Sequence, residues 1–158
     1  MITTTILAIV ESFLATLAYA ILFNVPKQYY TACGITGMAG WLLYLAMCQV
    51  TTVALASFVG TLAVVLISRI FTVRKKCPIT IFLVSGIIPL VPGAGIYYTA
   101  YYLVTGQMSL AAVKGLEAVK IAFAIVLGII FVVSIPRDTF QIRYWRAKRK
   151  RKRLKNHG

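Results

Sequence analysis

From Thr31 to Phe71 the chain runs 41 residues with a single charge, Arg69. A bilayer core about 30 Å thick is crossed by roughly 20 apolar helical residues, so the run is too long for one crossing and fits two. Hydrophobic residues make up 60% of the whole chain, and only Glu11, Glu117 and Asp138 are acidic. A soluble domain of this size cannot cover that much apolar surface, so the bilayer is expected to be its solvent. Hydrocarbon offers no partner to backbone polar groups, which makes helices the expected spanning elements. The expected fold is all-α and integral to the membrane.

Five spans are expected, with a broken fourth. Ile2–Asn24 is the first, and the long run splits near Cys48-Gln49-Val50 into the second and third. Thr72–Pro78 reads as a basic loop, Ile79–Thr105 as the fourth span, Gly106–Lys114 as a short loop and Gly115–Ile135 as the fifth. The membrane domain is thus residues 1–136, followed by a basic tail at 137–158. Net charge is +14, and ten of the seventeen basic residues follow Pro136. Lys27, Arg74, Lys75, Lys76 and the tail fall on one side, with only Lys114 in a loop on the other. The positive-inside rule then places the N-terminus outside and the C-terminus in the cytoplasm. The tail is expected to anchor this topology and to touch anionic lipid head groups, ahead of any nucleic-acid role.

Ala18-Tyr19-Ala20 has the form of a signal-peptidase site, but no basic residue precedes it and Glu11 interrupts the apolar run. The segment is read as a retained span. Cys33, Cys48 and Cys77 lack paired spacing and read as small apolar fillers, and the lone histidine, His157, is in the tail. No nucleophile–base pair, phosphate loop or metal cluster stands out, so neither an enzyme nor a cofactor is expected.

The fourth span carries Ser85-Gly86-Ile87-Ile88-Pro89-Leu90-Val91-Pro92-Gly93-Ala94-Gly95. Two prolines and three glycines in eleven residues cannot form one continuous helix. Such a break survives at membrane depth only inside protein or beside water, and broken helices are where secondary transporters bind cargo. A half-helix starting after Pro92-Gly93 would aim free N–H groups at a carboxylate, with Ser85 adding a hydroxyl. The candidate substrate site is therefore Ser85, Gly86, Pro89, Pro92, Gly93 and Gly95. Tyr97, Tyr98, Tyr101 and Tyr102 follow; an aromatic belt explains them, with Tyr98 a candidate to line the path. A kinked packing helix without a ligand is the plainer alternative.

Charge in the spans is scarce. Glu11 is expected near mid-bilayer, facing the bundle interior, as a proton carrier or as a neutral hydrogen-bonded acid. Glu117 and Lys120, three apart, are expected to pair near the outer end of the fifth span, with Lys114 a second partner. Arg69 either attracts a substrate carboxylate or snorkels to the inner surface. Gly34, Gly37 and Gly40 form a small-residue stripe, followed by Trp41 and Tyr44, and favour close helix packing.

Phe82-Leu83-Val84-x-Gly86-Ile87-Ile88-Pro89-Leu90-Val91-Pro92-Gly93 resembles the signature of the bacterial threonine/serine exporter family, in its small-subunit type. Leu22-Phe23-Asn24-Val25-Pro26-Lys27 is similar to the turn after that family's first span, and Gly37-x-x-Gly40-Trp41-x-x-Tyr44 to its second. The resemblance implies proton-driven export of threonine, serine or related carboxylates across the bacterial inner membrane. It also implies a larger membrane subunit as partner, this chain being the second membrane half of a carrier. Arg69 departs from it, since an acidic residue is implied near that position. The competing reading is an assembly subunit that stabilises a larger partner and binds no substrate.

Overall fold

The apolar runs are helical in the computed structural model, which describes residues 2–135 and, for 2–6, the backbone only. The helices are α1 (Ile2–Leu22), α2 (Tyr30–Cys48), α3 (Val53–Lys75), α4 (Thr80–Ile87), α5 (Gly93–Val104) and α6 (Met108–Val133). Short 3-10 turns at Lys27–Tyr29 and Ile88–Leu90 precede α2 and extend α4. No strand occurs among the described residues. Expectations for the tail at 137–158 lie outside them.

Three stretches are long and apolar enough to cross a membrane: Lys27–Cys48, Val53–Lys75 and Met108–Val133. The bent pair Thr80–Leu90 and Gly93–Val104 makes a fourth if taken as one span. The expected first crossing is helical, but Leu7–Leu22, where side chains are described, is shorter than those three.

Two loop boundaries differ from expectation. The basic loop expected from Thr72 is helix as far as Lys75, and α3 ends where Lys76 turns left-handed at φ 53°. Arg74 and Lys75 occupy the last turn, where cations complement the helix dipole. The loop expected at Gly106–Lys114 is mostly α6, which starts at Met108. Leu110, Ala111 and Ala112 favour helix, and Lys114 sits within it, bound to Glu117 one turn on.

Packing runs in the order α1, α2, α3, α6, α5, while α4 and its 3-10 extension lie against α1, α2 and α3. Small residues set the spacing. A Cβ on Gly34 would run into the Phe13 ring, one on Gly37 into Thr16, and one on Gly40 into Val64. On the facing helix a Cβ on Gly60 would lie 3.0 Å from the Gly40 carbonyl oxygen. Backbones this close gain dispersion contacts, which drive helix association in lipid.

Five buried hydroxyls bond back to their own helices. Thr16, Thr36, Ser57, Thr61 and Ser68 each donate to the carbonyl four residues back, at 2.7–2.8 Å. They present a smooth, small surface with the polar group satisfied at home. Arg69 is the buried charge, at 7% exposure, and its Nη1 donates to the Val132 carbonyl at 2.7 Å. Its guanidinium ties α3 to the last turn of α6, where exposed carbonyls carry partial negative charge.

Substituting Gly37 with Leu is expected to lower thermal stability in detergent by about 1–3 kcal/mol through overpacking against Thr16. Gly93→Ala, which meets nothing within 4 Å, should leave the melting temperature unchanged. Arg69→Met should cost a further comparable amount, about 1.5–3 kcal/mol for a charge-assisted bond, with Lys restoring part of it.

Candidate functional site

The break is narrower than the eleven-residue motif. Ser85 and Gly86 remain helical in α4, and Pro89 lies at the start of the 3-10 turn, where a missing donor costs little. Only Val91 and Pro92 leave the helical path. Val91 is extended, at φ −63° and ψ 133°, and Pro92 sits at φ −76° and ψ 57°. Gly93 N donates to Val91 O at 2.7 Å, which closes an inverse γ-turn around Pro92. The axis bends by 51°.

Helix α5 starts there. Its first helical bond runs from Ile96 N to the Pro92 carbonyl at 3.1 Å. The N–H groups of Ala94 and Gly95 precede that bond and have no acceptor within the helix. They carry the positive end of the helix dipole.

The two sides of the break differ. Leu90, 4% exposed, is clamped in a cluster with Val64 and Ile125, against which Trp41 and Tyr44 pack. The Trp41 and Tyr44 rings stack at 5.0 Å. Gly93 and Ala94, by contrast, are exposed. The start of the half-helix therefore lies on the exposed side of the break. Gly95 rests on α6, where a Cβ would approach that of Ala118 to 3.2 Å. Tyr98 is exposed and stacks with Tyr102 at 6.3 Å, while Tyr97 stacks with Tyr101 at 6.5 Å. By helix rise, Tyr97 and Tyr98 lie about 6–8 Å beyond the break and Tyr101 and Tyr102 about 12–14 Å beyond it.

Ser85 and Gly86 face the core. Ser85 Oγ donates to the Ile81 carbonyl at 2.9 Å, and Cys33 Sγ reaches the same oxygen at 3.5 Å. A Cβ on Gly86 would lie 3.0 Å from Thr36 Cγ2. Ser85 also lines a cavity of about 280 Å³ with Asn24, Pro26 and Thr80. Its remaining walls are Phe23, Val25, Ile81 and Val84. Asn24 adopts φ 54°, a left-handed conformation that asparagine tolerates better than most residues. The fold thus brings the turn after α1 against the start of the broken span, and adds Thr80, which the sequence reading passed over. The available signal was a hydroxyl directly after the Pro78-Ile79 helix start.

The charged candidates do not gather at the break. Glu11, expected to face inward, is exposed on α1, because Ser12 and Thr16 take the packed face. Glu117 pairs with Lys114 at 2.9 Å, with both side chains roughly half exposed, and not with Lys120 as expected. Lys120 is exposed and lies twelve positions in from Met108, in the middle of α6 and not near its outer end. Among the described residues no group of three or more His, Cys, Asp or Glu side chains could hold a metal.

A family model described as "Threonine/Serine exporter, ThrE" matches residues 8–135, from α1 to just past the end of α6. Its description is that of a transporter, with no enzymatic step. Comparisons with curated proteins and with solved structures give no match. With a packed bundle of apolar helices and a family match over most of its length, this chain is a membrane protein of the threonine/serine exporter family.

Proposed function

We propose that the chain is one subunit of a secondary exporter for threonine, serine or related carboxylates, with its substrate site at the Val91–Pro92 break. The observation that carries this is the γ-turn around Pro92, which frees the Ala94 and Gly95 N–H groups at the start of α5. A carboxylate is the natural ligand of such a helix end. In this reading the broken pair and α1 both cross, giving five spans with the N-terminus outside and the C-terminus in the cytoplasm of a bacterial inner membrane. The cavity beside Asn24, Thr80 and Ser85 then sits at the cytoplasmic end of the fourth span, on the route to the break.

The open side of Gly93 and Ala94 is consistent with half a carrier, in which a larger family subunit covers the site. Glu11 keeps its proposed role as proton carrier only where another protein surface covers it, since a bare carboxylate at that depth is costly. The basic tail serves as the topological anchor on anionic lipid. That same open side also suits an assembly subunit binding no substrate, and the two readings separate by experiment.

Pro92→Ala, which lets α4 and α5 straighten, should reduce radiolabelled threonine or serine efflux by at least roughly tenfold, or about 1.4 kcal/mol. The measurement compares cells expressing the chain with and without the larger subunit, and checks that the complex still purifies intact. Unchanged efflux, or a complex that falls apart, favours the assembly reading. Deleting residues 148–158 should shift topology reporters but leave efflux per correctly inserted molecule unchanged.

A further inference from the structure

Among the described residues, two charges outside any ion pair lie outside the core at mid-height on opposite flanks. Glu11 is the tenth of the 21 residues of α1, and Lys120 the thirteenth of the 26 of α6. Both are exposed, and no ion pair among the described residues involves either. They cannot meet within one chain, because α1 packs on α2 and α4 while α6 packs on α3 and α5. At hydrocarbon depth each requires a partner.

The surrounding surfaces share a spacing. Leu7, Glu11 and Leu14 form an exposed stripe on α1, and Leu116, Lys120 and Phe123 an exposed stripe on α6. Both stripes step by four and then three, so setting Glu11 against Lys120 brings Leu7 level with Leu116 and Leu14 level with Phe123. That register requires α1 and α6 to run the same way through the membrane. They do so if three crossings separate them, a point that rests on the five-span reading above.

We infer that the α1 flank of one copy docks on the α6 flank of a second copy, head to tail, through a Glu11–Lys120 ion pair at mid-bilayer. Opposite charge near the middle of each helix selects this occupant: each flank complements the other flank of the same chain. A contact of this kind is heterologous, so it closes into a ring or propagates as a row of subunits.

The test is charge exchange combined with cross-linking of the full chain in membranes, with Cys33, Cys48 and Cys77 replaced by alanine. Leu7→Cys with Leu116→Cys, and Leu14→Cys with Phe123→Cys, should give disulfide-linked oligomers on mild oxidation. Glu11→Lys or Lys120→Glu alone should cut the cross-linked fraction by at least about tenfold, since each sets like charges against each other. The double exchange should restore it. Single exchanges without effect, or a double exchange without recovery, overturn self-association and leave the flanks to other partners. Cross-links through the reversed pairs, Leu7→Cys with Phe123→Cys and Leu14→Cys with Leu116→Cys, would overturn the five-span reading instead. If no pair cross-links and a C-terminal reporter still reads cytoplasmic, the docking fails while the topology stands.

Discussion

Close backbone approach is the constraint on which the bundle depends. In lipid the hydrophobic effect no longer separates helix from solvent, so association rests on how tightly helices can pack. Gly37 against Thr16, Gly40 against Val64 and Gly60 against the Gly40 carbonyl leave no room for a Cβ. The hydroxyls of this interior are then worth more folded back onto their own helices than reaching across, because a cross-helix bond would hold the backbones further apart. Thr16, Thr36, Ser57, Thr61 and Ser68 all take that course. Arg69 is the contrast: its long side chain spans to the α6 terminus and shares the Val132 carbonyl with Ile135 N.

That packing also explains why the fourth helix can break. Gly86 seats α4 against Thr36, and Leu90 anchors its 3-10 extension between Val64 and Ile125. Having no need to continue along the same axis, the chain turns 51° at Pro92 and leaves to pack on α6. The near half of the broken helix thus belongs to the α1–α3 core, and the far half to α6. The turn between them is held from both ends without being enclosed.

Helices, the split after Cys48 and the existence of the break were legible in the sequence because each follows from local chemistry. Apolar runs must satisfy their backbone, and Pro92 cannot continue a helix that leads into it. The extent of the break was not legible. Pro89 and Gly86 look like breakers in a string of letters, yet proline at the start of a 3-10 turn loses nothing, and Gly86 is there for contact with Thr36. Lys114, expected at the end of a loop, lies within α6, where its Glu117 partner one turn on makes it compatible with helix. Facing was the hardest to read. Glu11 precedes Ser12 and Thr16 on a helix apolar all round, and only the packing of α1 on α2 shows which face the hydroxyls take. The cavity joining Asn24 to Ser85 depends on contact between segments sixty residues apart, which no local pattern encodes.

A pattern connects these failures of local reading. Of the residues singled out for binding or charge, Ser85, Gly86 and Arg69 are buried, whereas Gly93, Ala94, Glu11, Lys120 and Tyr98 are on the outside. In a soluble protein that arrangement would be ordinary, since water satisfies exposed polar groups. At bilayer depth it is costly, because lipid cannot satisfy them. On the five-span reading, Glu11 and Lys120 would both lie at such depth outside the core, and each would then require a protein partner. In the proposed reading the surfaces around the Pro92 turn and along the α1 and α6 flanks would be stabilised, and their chemistry completed, by other protein surfaces laid against them.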